Sequence, residues 1–253
     1  MMKTIDLNAD MGESFGAWTM GADAALMPYV TSVNIACGFH AGDPNTIDRT
    51  IALAVSHGVS VGAHPGLPDL VGFGRRTMML TEDEAYQIVL YQSGAIRAFA
   101  QAHGTRLNHV KPHGALYNMA ATDIKLSKGI VRAVKALGDS VAITTLSGSV
   151  TEKVAQDAGL IVAREVFADR RYQDSGLLMP RSDPLAMITD PQDSIAQIID
   201  MVTKGSIKAA SGKKITVCAD TVCLHGDQPD AAVFAAGLQK ALQTVGVIPR
   251  AFP

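Results

Sequence analysis

Residues 5–13 read IDLNADMGE, an apolar and polar alternation that runs out into acids. At the two-residue period of a strand, Asp6, Asn8 and Asp10 share one face while Ile5 and Leu7 take the other. Three polar groups then point into a core that must supply them with partners. Four further short apolar runs end the same way: VNIACGFHAGD (33–43), VSVGAHPG (59–66), LNHVKPHGAL (107–116) and ITVCADTVCLHGD (215–227). A run of Val, Ile and Ala that stops in His, Asp or Lys is the pattern of a buried parallel strand whose C-terminal tip opens into a site. Barrel enzymes keep their chemistry at such tips. His40, His64, His113 and His225 all fall there, whereas His57 and His103 stand beside glycines at helix ends.

Alternation predicts seven strands, near 4–8, 31–36, 59–63, 107–111, 141–145, 160–166 and 215–219. Helix signals lie between them. Asp43-Pro44 gives an N-cap and a first-turn proline, Thr81 with Glu84 and Ser149 with Glu152 make capping boxes, and further helices follow Asp123, Asp190-Pro191 and Pro229. The segment near 18–28 offers only a short one. A doubly wound sheet gathers its ligand residues at one switch point, but here polar tips recur after nearly every strand, so the α/β alternation reads as a closed barrel. Residues 1–253 suit one domain. The longest irregular stretch, 167–189, carries Arg170, Arg171, Arg181 and Asp183 and reads as a lid or binding loop.

Composition narrows the function. Hydrophobic residues make up 47%, charged residues 18%, and the net charge is -2, which speaks against a nucleic-acid partner. The polar start lacks a signal peptide's apolar stretch and no window approaches the roughly 18 apolar residues of a membrane span, so a cytoplasmic chain with no membrane partner is expected. Cys37, Cys218 and Cys223 have no CxxC spacing and read as small strand residues. The glycine-rich run to Arg75 and Arg76 lacks a P-loop signature but has the makings of an anion loop. Lys111 at a strand end inside a barrel is desolvated, a fit partner for a carbonyl or phosphoryl oxygen. His40, His64, His113 and His225 with Asp10 suit either a divalent metal or metal-free acid-base chemistry.

Six blocks, DLNADMGESFG, VNIACGFHAGDP, GAHPGLPDLVGFGRR, HVKPHGALYN, EVFADRRY and VCLHGDQP, in this order resemble the LamB/YcsF lactam-utilisation family from residue 3 to about 230. The resemblance implies a seven-stranded (β/α) barrel of the glycoside hydrolase and deacetylase type. It also implies ring opening of 5-oxo-L-proline to L-glutamate, coupled to ATP hydrolysis with Mg²⁺, in a 5-oxoprolinase that has two further subunits, B and C. The blocks fall on Asp6, Asn8, Asp10, Glu13, Asn34, His40, His64, Lys111, His113, Glu165, Asp169, Arg170 and His225. On this reading Asp10, His40, Lys111 and His113 are catalytic, and Asn8, Glu13, Asn34, Arg75, Glu165, Asp169 and Arg170 bind substrate or phosphate. His40, His64 and His225 are the metal candidates. Replacing Lys111 by Met is expected to stop turnover and leave the fold intact. Two other readings stay open: a metal-dependent amide or N-acyl hydrolase without ATP, and a non-catalytic lactam-binding component of the complex.

Overall fold

A computed structural model describes residues 3–225 and 230–252, so Asp227 and the helix start expected at Pro229 lie outside the described residues. The strands are β1 (Lys3–Met11), β2 (Ser32–Ala36), β3 (Ser60–His64), β4 (Leu107–Val110), β5 (Ala142–Leu146), β6 (Val162–Phe167), β7 (Ser206–Lys208), β8 (Lys214–Thr216), β9 (Thr221–Leu224) and β10 (Val247–Pro249). The helices are α1 (Asp23–Leu26), α2 (Pro44–Ser56), α3 (Glu82–Ala102), α4 (Gly114–Ala120), α5 (Ile124–Leu137), α6 (Val150–Asp157), α7 (Pro191–Lys204) and α8 (Ala231–Thr244).

Strands β1 to β6 pair in parallel in sequence order, and β9 lies between β6 and β1, which closes a seven-stranded ring. The expected strand at 215–219 is thus corrected. Residues 214–216 pair antiparallel with β7 in an outer hairpin, and the seventh barrel strand is 221–224. Both stretches are rich in β-branched residues, and burial separates them: β9 is buried at every position, while Lys208 and Lys214 keep the hairpin at the surface. Short β10 pairs in parallel with the start of β1 and was not foreseen, nor was α4.

The helix starts form where their chemistry dictates. Asp43, Asp123, Ser149 and Asp190 each accept a backbone N–H from the first turn, and Thr81 with Glu84 forms the complete capping box. His57 and His103 end α2 and α3. The apolar core fills the layer between barrel and helices, with Ile5 and Leu7 in it. Inside the ring a polar column runs instead. At its base Asp6 accepts hydrogen bonds from the hydroxyls of Thr31 (2.6 Å), Ser32 (2.8 Å) and Thr221 (2.5 Å). Burial raises its pKa and these hydroxyls oppose the rise.

Helices α3 and α5 touch closely because Gly129 has no side chain: a Cβ there would stand 2.3 Å from the Glu82 carbonyl oxygen. Gly94 in α3 has open space instead. Gly129→Ala should therefore cost about 1–3 kcal/mol despite alanine's better helix propensity, and Gly94→Ala should gain about 0.5–1 kcal/mol. Urea midpoints of the two variants should move in opposite directions.

Candidate active site

The column widens at the strand tips into a cavity of about 440 Å³ lined by Asp10, Glu13, His64, Arg75, Lys111, His113, Arg170 and His225 among others. That size suits a small organic substrate. Its floor is a network of amide, acid and ammonium groups. Asn34 donates from Nδ2 to Asn8 Oδ1 (2.7 Å) and Asp10 Oδ1 (2.8 Å), and His109 Nε2 donates to Asn34 Oδ1 (2.7 Å). Asn8 Nδ2 donates to Glu165 Oε1 (3.0 Å) and Thr221 Oγ1 (2.7 Å). Inward-facing positions of β1, β2, β4, β6 and β9 thus converge.

Lys111, just past β4, is ringed by Asp10 Oδ1 (2.9 Å), Glu165 Oε1 (2.9 Å), Asn8 Oδ1 (3.2 Å) and Cys223 Sγ (3.2 Å). Burial alone would lower its pKa, yet the negative neighbours, Asp10 foremost, hold it well above the usual lysine value. Burial likewise pushes Asp10 up, but His64 and Lys111 hold its carboxyl well below the ordinary range. Lys111 is an ammonium between two carboxylates. The expectation that Lys111→Met leaves folding untouched is corrected on this geometry, because the change strands two buried acids.

The imidazoles gather on the opposite side of Asp10. His64 Nε2 lies 3.3 Å from Asp10 Oδ2, His64 Nδ1 meets the Lys111 carbonyl at 2.7 Å, and His113 Nδ1 lies 3.0 Å from His64 Nε2. His113 Nε2 donates to the carbonyl of Phe73 at 2.8 Å. Phe73 sits in the left-handed region (φ 53°), a conformation that costs a non-glycine residue about 1 kcal/mol or more and aims that carbonyl. His40 lies flat on His113 with ring centres 3.7 Å apart. Both its nitrogens are buried without a hydrogen-bond partner in the protein. Burial, then the charge of Lys111, brings His109 to about 3, and burial, then His64, brings His113 to about 3. Gln92 of α3 clamps both backbone groups of Gly66, fixing the loop after His64 (3.0 and 2.9 Å).

Two groups of side chains have the spacing to hold a metal ion, each with ligand atoms within 4.8 Å of one another: Glu13, His40, His64 and His113, and Asp10, Cys223 and His225. His40 and His64 therefore fall together with His113 and Glu13, and His225 stands apart from them. Both ring nitrogens of His225 are engaged, Nδ1 with Asp169 Oδ2 (2.8 Å) and Nε2 with Arg181 Nη2 (3.2 Å). Burial raises the Asp169 pKa, and His225 together with Arg181 and Arg170 more than offsets it, so the net shift is downward.

Arg170 is buried and donates to the Met179 carbonyl; desolvation, helped by Arg181, lowers its pKa to about 10. Arg75 lies over the Phe73 ring (4.9 Å) at the cavity wall. Arg76 instead pairs with Asp69. Cys37 is no nucleophile: it is buried, burial pushes its thiol up, and it donates to the Ile35 carbonyl (3.2 Å). The expected lid, 167–189, is pinned rather than loose, with Gln197 Nε2 bonded to the carbonyls of Phe167 (3.1 Å) and Arg170 (3.0 Å). Sequence reading missed Tyr117, whose hydroxyl donates to Glu165 Oε2 at 2.6 Å, and Cys223 beneath Lys111. Tyr117 stood in the quoted block HVKPHGALYN, but nothing local tied it to a partner 48 residues away.

Comparison with known proteins places this architecture. The chain is 54% identical to the 5-oxoprolinase A subunit of Bordetella pertussis over 247 residues, 98% of each chain. To the protein of the same name from Bacillus subtilis it is 50% identical over 246 residues, 97% of this chain and 96% of that one. The crystal structure of a lactam utilization protein from Thermus thermophilus superposes with a TM-score of 0.92 at 48% identity, covering 98% of this chain and all of the other. A deacetylase solved with its substrate shares the fold alone, with a TM-score of 0.50 at 14% identity over 98% of this chain and 87% of the other. No helix among the described residues is long and apolar enough to cross a membrane. Residues 5–252, with the polar barrel axis and the whole mouth inside them, match the LamB/YcsF family, and the chain belongs to it.

Proposed function

We propose that this chain is the A subunit of an ATP-dependent 5-oxoprolinase, opening 5-oxo-L-proline to L-glutamate together with subunits B and C. The observation that carries the reading is the full-length likeness to proteins that bear the name of the 5-oxoprolinase A subunit, on a barrel whose mouth holds Lys111 between Asp10 and Glu165. An unstrained lactam is a resonance-stabilised amide that water attacks slowly. Transfer of the terminal phosphoryl of ATP to the lactam oxygen makes the ring carbon electrophilic and leaves ADP. Water then adds at that carbon, the ring C–N bond breaks, the nitrogen takes a proton, and phosphate departs.

The residues divide these tasks. Lys111, Arg170 and Arg75 steady the phosphoryl and carboxylate charge, and the Asn8 and Asn34 amides hold Asp10 and Glu165 in place. Asp10, which lines the cavity, takes the proton of the attacking water and returns it to the ring nitrogen. Glu13 and His225, the latter paired with Asp169, line the same cavity.

Glutamate release from 5-oxoproline by the reconstituted complex, with and without ATP, tests the assignment. Asp10→Asn keeps the hydrogen-bond shape and removes the charge, so ATP-dependent release should fall on the order of 10²–10⁴-fold. Full activity in that variant would turn the chain into a lactam-binding component. ATP-independent release by the chain alone would turn it into a simple amidohydrolase.

A further inference from the structure

The contact between His64 and His113 cannot be made by two neutral rings. The Phe73 and Lys111 carbonyls only accept, so His113 Nε2 and His64 Nδ1 carry the protons that face them. That leaves His113 Nδ1 and His64 Nε2 facing each other at 3.0 Å as two lone pairs, with Asp10 Oδ2 a third electron pair 3.3 Å from the same His64 nitrogen. Something positive must sit among them. A single shared proton would satisfy the pair, but it leaves His40 unexplained: a residue 1% exposed, lying on His113, with neither nitrogen bonded. The Glu13 carboxylate reaches the same spot.

We infer that Glu13, His40, His64 and His113 form a binding site for a divalent transition-metal ion of the zinc type. The proposal stands on these side chains and not on the lactam reading. Ligands of a tetrahedral zinc stand about 3.3 Å from one another, and His64 Nε2 and His113 Nδ1 are already near that separation. His40 joins by rotating its ring, which breaks no hydrogen bond because it has none. The strained Phe73 carbonyl and the Lys111 carbonyl are the outer partners that fix which nitrogen of each ring is free to ligate. Three imidazoles and one carboxylate favour zinc or cobalt and disfavour magnesium, which takes oxygen ligands. The site is therefore distinct from the magnesium that accompanies a nucleotide.

The test is calorimetric titration of the chelator-stripped full chain with Zn²⁺, Co²⁺ and Mg²⁺, together with the visible spectrum of the cobalt form. One equivalent of Zn²⁺ or Co²⁺ with an intense tetrahedral cobalt band, and no Mg²⁺ heat, is the expected result. His113→Ala and His40→Ala should each weaken Zn²⁺ binding by more than the 10–100-fold typical of losing an outer-shell partner, and His225→Ala should leave it within about 3-fold. Thermal melts of the stripped variants check that they are folded, and Glu13→Gln, at a half-buried position, serves where a histidine variant is not. Absence of saturable Zn²⁺ binding by the wild-type chain overturns the proposal. So does binding that survives in His40→Ala and His113→Ala but vanishes in His225→Ala, which would move the ion to Asp10, Cys223 and His225.

Discussion

Lys111→Met should lower ATP-coupled lactam opening on the order of 10²–10³-fold and destabilise the chain by about 3–5 kcal/mol. The two effects share one cause. Lys111 is 2% exposed and is the cation between Asp10 and Glu165. Without it, two carboxylates remain buried side by side, and methionine fills the volume but offers no charge. The pH dependence carries the signature. In the native chain Asp10 is held well below its ordinary value, so its contribution to stability is present above the unfolded pKa of about 3.9 and is lost as pH falls through the folded value. In the variant the Lys111 charge that helps hold Asp10 down is gone, and burial raises its folded value. Stability is then favoured while Asp10 is protonated and falls as pH rises through its folded value, so the deficit shrinks toward acid pH. Urea denaturation at pH 5 and pH 8 reads this directly. Adding Glu165→Gln should recover much of the stability and none of the turnover; recovery of turnover would remove Lys111 from the chemistry.

Gly62→Ala should be nearly as damaging from a position with no functional group. His109 on β4 reaches across β3 to Asn34 on β2, and it crosses over Gly62, where a Cβ would stand 2.1 Å from Nε2 and 2.3 Å from Cε1. The ring is buried, so it has to be displaced to admit the methyl group. Displacing it breaks the 2.7 Å bond to Asn34, the amide that positions both Asn8 and Asp10. Overpacking of about 1–3 kcal/mol plus a lost buried hydrogen bond of about 1–3 kcal/mol gives an expected loss of several kcal/mol in urea unfolding. Coupled activity should fall with it. A variant that melts like the wild type would mean that His109 has another place to go.

Much of this was legible in the chain. Strand tips announce themselves because a buried parallel strand must be apolar until it reaches the mouth, so His64 and Lys111 stand out against VSVGA and LNHV. The period-two face of β1 gave Asp6, Asn8 and Asp10 their common direction, and Asp43-Pro44 could be nothing better than a cap. The seventh strand reads as 215–219 and forms at 221–224, because ITVCA and TVCL have the same local character and only tertiary burial chooses between them. Partners were less readable than positions. Tyr117 with Glu165, Cys223 with Lys111 and His40 with His113 are meetings of residues far apart in sequence, and each depends on which loops face each other across the ring.

The late position of β9 has a consequence for how the molecule is made. Six ring strands are synthesised by residue 167, but the gap between β6 and β1 is filled only by residues 221–224. An otherwise native ring without β9 would leave β6 and β1 as two bare edges, with the axis of acids and amides open to water along the slot. Such edges invite pairing with other chains. A ribosome-stalled or truncated product ending before residue 221 is thus the species that a cell's holding chaperones should meet, and four residues convert it into a sealed cylinder.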